Sequence, residues 1–186
     1  MDYRKYILPI GSHNYYEGCG FFVGDYFITC GHVIEHAESP FLYILQKQVS
    51  LDKPAFLEYS KDTSGYDLAI FHIPGITTEL YLYENIIKEG SIAHSVSFKC
   101  LGEKLVECDV TIGPDREANY ISGLSDIPLK GGCSGSPILM GNQVVGMITG
   151  GNNNGDGIPC NPNLPLNLCA VLSSKAIGNV IKVLEG

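Results

Sequence analysis

Three short segments hold side chains that together could carry out acyl transfer. His32 follows Ile-Thr-Cys-Gly, Asp67 precedes Leu-Ala-Ile-Phe, and Ser134 stands in Gly-Gly-Cys-Ser-Gly-Ser-Pro. A serine hydroxyl becomes an effective nucleophile when a base lies within hydrogen-bonding reach, and histidine suits that task near neutral pH. A buried carboxylate fixes the histidine tautomer and stabilises the imidazolium. The segments therefore predict a Ser-His-Asp site.

The glycines around the serine predict a second component of that chemistry. Gly132 and Gly135 flank Cys133 and Ser134 and permit a tight turn. Such a turn would aim the N–H groups of Gly132 and Ser134 inward, where convergent donors stabilise an oxyanion. We therefore expect an oxyanion hole formed by the backbone of Gly132, Cys133 and Ser134.

Composition and charge exclude several other functions. The 186 residues include 12 basic and 20 acidic side chains, for a net charge of −8. Phosphate recognition and attraction to anionic lipid need clustered basic residues, so we expect no nucleic-acid partner and no membrane partner. No Cys-x-x-Cys occurs and the cysteine spacings match no zinc pattern, so we expect no metal and no cofactor.

The cysteines and the N-terminus predict a cytoplasmic location. No apolar run reaches about eighteen residues, and the N-terminal residues are too polar for a signal peptide. Seven cysteines cannot all pair, which favours free thiols in a reducing compartment. One pair, Cys19 and Cys30, would face each other across a hairpin, and the compartment argument favours free thiols there also.

The elements that position these side chains are predicted to be short strands. Gly24-Asp25 is a two-residue hairpin turn that would pair Val23 with Tyr26 and Phe22 with Phe27. Period-two or apolar runs predict further strands. The predicted strands are 20–23, 26–29, 41–45, 55–59, 68–73, 93–98, 105–112, 120–121, 136–140, 144–149 and 168–172.

The end of the chain predicts the only convincing helix, over residues 173–184. Ser173 or Ser174 can cap it, and apolar residues recur at helical spacing after them. Strand patterning lapses near residues 81–90, which predicts two β units, residues 1–85 with the histidine and aspartate and residues 86–186 with the serine. The fold class is all-β with a C-terminal α-helix, and strands this short favour a sandwich or barrels.

Thr-x-x-His, Asp-Leu-Ala-Ile and Gly-x-Ser-Gly-x-Pro, in that order, resemble the motifs of the chymotrypsin-fold (trypsin-like) serine peptidases. The compact bacterial members, such as the high-temperature-requirement protease domain, are the most similar subgroup. The resemblance extends to Gly-Cys-Gly-Phe-Phe-Val near the N-terminus and to the strands at 143–149 and 168–173, and it covers roughly residues 10–184. It implies two antiparallel β-barrels with the site in the cleft between them.

The same resemblance implies individual roles. His32 would be the general base and then acid, Asp67 its orienting partner and Ser134 the nucleophile. Residues 149–151, which are Thr149, Gly150 and Gly151, would pair with the substrate backbone as an added strand. Pro128 stands where trypsin has its specificity acid, which disfavours cleavage after Arg or Lys and favours a small or apolar pocket. The pocket residues would be Leu129, Ile148, Thr149 and Leu168.

We therefore expect a serine endopeptidase that acts on a protein or peptide substrate through an acyl-enzyme. Two alternatives remain open at this stage. One is a catalytically silent homologue of the same fold that binds peptides. The other is a cysteine-type processing protease that uses Cys133, although Gly135 follows Ser134 directly and this register favours the serine.

Overall fold

The computed structural model describes residues 2–13, 15–60, 65–99, 104–117, 119–129, 132–153 and 157–186. These residues form fourteen strands, two α-helices and a short 3₁₀ helix at Tyr3–Lys5. The elements of the first half are β1 (Ile7–Ser12), β2 (Tyr15–Val23), β3 (Tyr26–Thr29), α1 (Gly31–His36), β4 (Phe41–Ile44), β5 (Lys47–Ser50), β6 (Phe56–Tyr59) and β7 (Asp67–His72). Those of the second half are β8 (Tyr81–Leu82), β9 (Ile92–Lys99), β10 (Lys104–Glu117), β11 (Tyr120–Ser125), β12 (Pro137–Met140), β13 (Gln143–Gly151), β14 (Leu168–Ser173) and α2 (Ser174–Glu185).

The first sheet has the strand order β5-β4-β1-β2-β3-β7-β6, and its neighbouring strands are antiparallel. The predicted hairpin is confirmed, since Val23 pairs with Tyr26 and Phe22 with Phe27. Gly24 adopts φ +57, which suits glycine in a two-residue turn. This sheet brings the end of β3, before His32, next to the start of β7, at Asp67.

The second sheet closes on itself. Its order is β12-β9-β10-β11-β14-β13-β8, and β12 also pairs with β13, so that six strands form a complete ring. The short β8 joins the outside of the ring and runs parallel to β13. Closure places residues 149–151 of β13 close to the turn that precedes β12, which carries Ser134.

Two apolar clusters form the interior. The larger lies in the first sheet and continues through Phe98, Met147 and Leu172 to the apolar face of α2. The smaller fills the second sheet and includes Val110 and Ile148. Because the larger cluster spans both sheets and the helix, burial of apolar surface holds the two halves of the site together.

The structure confirms most of the predicted elements and corrects others. The C-terminal helix is confirmed, with Ser173 as its cap, because its side chain accepts from the Ala176 N–H at 3.2 Å. The strand predicted over residues 26–29 is confirmed, and the short helix α1 that follows it and contains His32 was not predicted. Strands β1, β5 and β8 were not predicted, because their sequences mix polar and apolar residues without a clear period.

Three further predictions concern organisation. The first seven strands end at His72 and the second sheet begins at Tyr81, and the division into residues 1–85 and 86–186 stays a prediction. Cys19 and Cys30 are buried reduced thiols, and Cys19 Sγ lies 3.1 Å from Ser136 Oγ. No helix in the described part of the chain is long and apolar enough to cross a membrane.

Candidate active site

Helix α1 presents His32 directly after the first-sheet strand β3. Gly31 precedes it, and a Cβ atom there would lie 2.2 Å from the carbonyl oxygen of Glu58, so only glycine allows the helix to approach β6 this closely. The backbone N–H of His32 donates to Asp67 Oδ1 at 2.8 Å. This bond fixes the start of the helix against the first residue of β7.

Asp67 lies at the start of β7 and is 7 % exposed. Its Oδ2 lies 2.6 Å from His32 Nδ1. Because a carboxylate only accepts, Nδ1 carries the proton and Nε2 is left as an acceptor. The carboxylate therefore fixes both the position and the tautomer of the imidazole.

Tyr120 reaches Asp67 from the second sheet. The Asp67 N–H donates to the Tyr120 hydroxyl at 2.9 Å, which ties β11 to β7 beside the histidine. Burial raises the pKa of Tyr120 to about 12, so the phenol stays neutral. The sequence analysis missed Tyr120, since a residue 53 positions from Asp67 gives no local signal of this contact.

The turn that carries Ser134 is held from behind by backbone contacts. Its carbonyl accepts from the Cys19 N–H at 3.0 Å, and the N–H of Gly135 donates to the Ile148 carbonyl at 2.8 Å. Gly135 has φ +89, and a Cβ there would lie only 1.8 Å from the Cys19 carbonyl oxygen. Thr29 fixes that oxygen in turn by donating to it at 2.7 Å. Strands of both sheets thus determine where the serine side chain starts.

These supports bring the three predicted residues into one hydrogen-bonded line. Ser134 Oγ lies 3.0 Å from His32 Nε2, and His32 Nδ1 lies 2.6 Å from Asp67 Oδ2. With the proton on Nδ1, the serine hydroxyl can donate to Nε2. The arrangement allows His32 to take the hydroxyl proton while the carboxylate stabilises the positive charge that forms.

A small cavity lies beside Ser134. It has a volume of about 80 Å³, and among the described residues its walls are Leu129, Cys133, Ser134, Ile148, Gly150, Gly151 and Asn153. Four of the predicted substrate-binding residues therefore lie together. The other two, Thr149 and Leu168, are not among the described lining residues, and the Thr149 hydroxyl donates to the Ala170 carbonyl at 3.3 Å.

The cavity is open where β13 passes it. Among the described residues, a Cβ atom added at Gly150 would meet no atom within 4 Å, so this residue faces unfilled space. On its other side β13 is paired, because Gly150 lies opposite Ala170 and Gly151 opposite Cys169 of β14. The pairing with β12 stops at Met147 and Pro137. Beyond that point, the described residues contain no strand paired with this side of β13.

Asn152 organises the loop that follows β13, and the sequence analysis did not single it out. It is 7 % exposed, and its Nδ2 lies 3.0 Å from each of the carbonyl oxygens of Asn161, Leu164 and Pro165. Its Oδ1 accepts from the Asn161 N–H at 2.7 Å. An asparagine in a Gly- and Asn-rich stretch looks like ordinary loop composition, so only the structure reveals this role.

One group of side chains has the composition of a metal site. Ligand atoms of Cys30, His32 and Asp67 lie within 4.8 Å of one another. The Cys30 thiol donates to the Ile148 carbonyl at 3.3 Å. Burial raises its pKa well above the ordinary value, and the Asp67 charge raises it further, so the thiolate that a metal needs is disfavoured. The hydrogen bond between His32 and Asp67 explains why their ligand atoms lie close together.

Solved structures identify the fold. The Rv3671c protease from M. tuberculosis in its active form aligns with a TM-score of 0.69 and 18 % identity, covering 96 % of this chain and 80 % of that one. The serine protease domain of the Sesbania mosaic virus polyprotein gives 0.70 and 19 %, covering 94 % and 91 %. Kallikrein-related peptidase 10 gives 0.72 and 12 %, covering 98 % and 96 %. The sequence matches no protein-family model and no curated protein significantly.

The chain therefore has the fold of the chymotrypsin-like serine proteases, with two barrel-like sheets and a C-terminal helix. The predicted fold class is confirmed. At these identities the likeness concerns the fold, and the narrower similarity to the high-temperature-requirement protease domain stays a prediction.

Proposed function

We propose that this protein is a serine endopeptidase that cleaves peptide bonds through an acyl-enzyme. One observation carries the proposal, the continuous hydrogen-bonded line from Asp67 through His32 to Ser134. The structural neighbours agree with it, since they include neuropsin, a human pathogenic astrovirus serine protease and the serine protease domain of the Sesbania mosaic virus polyprotein. No cofactor is required for this chemistry.

In the acylation step, Ser134 Oγ attacks the carbonyl carbon of the scissile bond while its proton moves to His32 Nε2. Asp67 stays ionised and stabilises the imidazolium. The N–H groups of Gly132 and Ser134 would bind the oxyanion, a contribution of about 3–4 kcal/mol per donor in sites of this kind. The carbon–nitrogen bond then breaks as His32 gives its proton to the leaving amine.

In the deacylation step, water replaces the amine. His32 Nε2 takes a proton from the water as its oxygen attacks the acyl carbon, and the second tetrahedral intermediate collapses when that proton passes to Ser134 Oγ. The peptide carboxylate leaves and the hydroxyl is restored. One histidine therefore acts as base and then as acid in both steps.

The substrate would lie along β13 in an extended conformation. The side of residues 149–151 that lacks a paired strand in the described structure offers backbone groups for an added strand. A cavity of about 80 Å³ beside Ser134 favours a small or apolar side chain before the scissile bond. Leu129 and Ile148 supply its apolar wall.

The cysteine alternative is less well supported by the geometry. Cys133 Sγ lies 3.8 Å from Ser97 Oγ, and its side chain packs against the core of the second sheet. The atom 3.0 Å from His32 Nε2 is instead Ser134 Oγ. We therefore assign the nucleophile to the serine.

A fluorophosphonate probe tests this assignment. The natural chain and Cys133→Ala should become labelled, whereas Ser134→Ala should not. Labelling that depended on Cys133 would contradict the serine mechanism. A digest of casein with the natural chain separates a peptidase from a silent peptide binder, because a binder would release no fragments.

A further inference from the structure

A second and larger cavity lies in the first sheet, at the end far from Ser134. Its volume is about 330 Å³, and the loop at residues 75–77, which follows β7, forms one wall. Asp67 begins β7, and the strand has six residues. Each step adds about 3.3 Å, so the end of β7 that leads to this cavity lies roughly 16 Å from the end at Asp67. We call it the first-sheet groove.

The groove has an apolar floor and an exposed apolar rim. Phe22 is fully buried beneath it, and Leu8, Ile44 and Ile76 are half-buried along its sides. The rim contains two side chains that the fold leaves in solvent, Tyr43 at 59 % and Leu45 at 89 % exposure. Of the large apolar side chains in the described residues, Leu45 is the most exposed.

Leu45 is also held in an unfavourable backbone conformation. It forms a two-residue turn with Gln46 between β4 and β5, with φ +49 and φ +66. Turns of this kind favour Asn and Gly, and a bulky residue at positive φ is uncommon. At 89 % exposure, Leu45 gains little from burial in return. Strain of this kind concentrates at functional positions, which points to a contact made outside the chain.

Two cations stand beside this apolar surface. Arg4 and Lys5 line the groove, and no acidic residue does so among the described lining residues. Outside the lining, Asp2 lies next to these cations, since its Oδ1 accepts from the Arg4 N–H at 3.2 Å. The lining itself therefore contributes two cations, in a chain of net charge −8.

We propose that the first-sheet groove binds an acidic segment of a partner protein, anchored by one bulky apolar side chain. The apolar floor would take the anchor, and Arg4 and Lys5 would pair with flanking carboxylates. A second copy of this chain fits less well, because two chains of −8 repel each other. Strand β5, next to the rim, is the edge of its sheet and offers backbone groups to a peptide. The proposal is independent of the peptidase activity.

The test uses the full chain with Ser134→Ala, so that no peptide is consumed. Isotope-labelled protein is titrated with acetyl-Asp-Glu-Phe-Glu-amide and followed by heteronuclear NMR. The amide signals of Leu8, Ile44, Leu45 and Thr77 should shift, with a dissociation constant of about 0.1–1 mM for one anchor and two ion pairs. The peptide acetyl-Asp-Glu-Ser-Glu-amide, which lacks the anchor, should bind at least about tenfold more weakly.

Charge reversal supplies the matched control. Arg4→Glu with Lys5→Glu should weaken the acidic peptide at least about tenfold and make acetyl-Lys-Lys-Phe-Lys-amide the better ligand. Lys88→Glu with Lys175→Glu changes the net charge equally, at exposed positions outside the groove, and should leave binding unchanged. Three results would overturn the proposal. They are no shifts at the groove at about 10 mM peptide, equal binding of acidic and basic peptides, and displacement of the acidic peptide by a lower concentration of the fatty acid laurate, which would indicate a lipid ligand.

Discussion

The two sides of the Ser134 turn differ sharply in how much space surrounds them. Behind the turn, a Cβ at Gly135 would lie 1.8 Å from the Cys19 carbonyl oxygen, so the backbone is in direct contact with the first sheet. In front of it, a Cβ at Gly150 would meet no atom within 4 Å. Two glycines of the same site thus have opposite roles. Gly135 allows a close backbone contact, and Gly150 leaves open space.

This difference separates what would fix the proposed nucleophile from what would admit a substrate. We call the side of the turn that contacts Cys19 and Thr29 the rear side. Its hydrogen bonds hold the backbone of Ser134, whose Oγ lies 3.0 Å from His32 Nε2. We call the side with the cavity lined by Gly150 the front side, and it can vary without moving the serine. Changes on the rear side should therefore alter stability and activity together, and changes that only fill the cavity on the front side should alter selectivity with little effect on stability.

Gly135→Ala should give the largest effect. The added methyl group collides with backbone, and φ +89 is unfavourable for alanine, so we expect a loss of at least about 4 kcal/mol in the free energy of unfolding, with loss of probe labelling. Chemical denaturation measures the first effect. Gly141→Ala is the control, because φ there is +62 with no atom within 4 Å, and it should cost only about 1–2 kcal/mol. Equal losses in the two variants would show that the rear contact is unimportant.

Asn152→Asp should have the next largest effect, in the loop between the cavity-lining residues Gly151 and Asn153. The carboxylate would face three carbonyl oxygens without a donor, a loss of about 3 kcal/mol in the stability of that loop. Peptide cleavage should fall mainly through a higher KM, since the triad is untouched. Asn163→Asp adds the same charge at an exposed position in the same loop and should change neither quantity. A fall in kcat with unchanged KM would place Asn152 among the rear supports instead.

The proposed triad could be predicted from the sequence, but the residues that position it could not. His32, Asp67 and Ser134 stand in motifs of a few adjacent residues, and the order of the motifs restricted the fold. Tyr120 and Asn152 act through contacts with residues distant in the chain or in irregular loop structure. A local pattern does not encode such contacts, so neither residue was predictable.

The same reason explains the short helix at His32. The stretch Gly-His-Val-Ile-Glu-His is only six residues long, and its apolar residues suit a strand equally well. The backbone N–H bond from His32 to Asp67 and the close approach at Gly31 decide between the two conformations, and both depend on tertiary structure. The pocket was predicted in part, because the family resemblance placed Gly150 and Gly151 at the substrate edge. Glycine alone does not distinguish open space from the close contact found at Gly135.

Gly150→Val should change selectivity with little effect on folding. The new side chain enters unfilled space, so the free energy of unfolding should stay within about 0.5 kcal/mol of the natural value. It would occupy part of a cavity of about 80 Å³. We expect kcat/KM to fall about 10–100-fold for peptides with leucine before the scissile bond and less for alanine. A peptide library measures the profile, and an equal fall for both residues would contradict the front-side assignment.

The smallest effect we expect is a difference in reactivity between two thiols, Cys133 at the cavity and the buried Cys30. Iodoacetamide at neutral pH should alkylate Cys133, which lines the cavity, and leave the buried Cys30 unmodified. Peptide mass spectrometry locates the adducts, and unfolding in guanidinium should make Cys30 reactive. Modification of native Cys30 ahead of Cys133 would reverse the comparison.

The pH dependence of this thiol follows from burial. The folded-state pKa of Cys30 lies above its ordinary value of 9.0, because burial and then the Asp67 charge disfavour the thiolate. The neutral thiol therefore contributes stability that is complete below about pH 9 and declines at higher pH, by about 1.4 kcal/mol per pH unit while the unfolded chain is ionised and the folded chain is not. Cys30→Ala should remove this part of the alkaline decline, measured by denaturation at increasing pH. Because the Cys30 thiol is buried, it should ionise only as the chain unfolds.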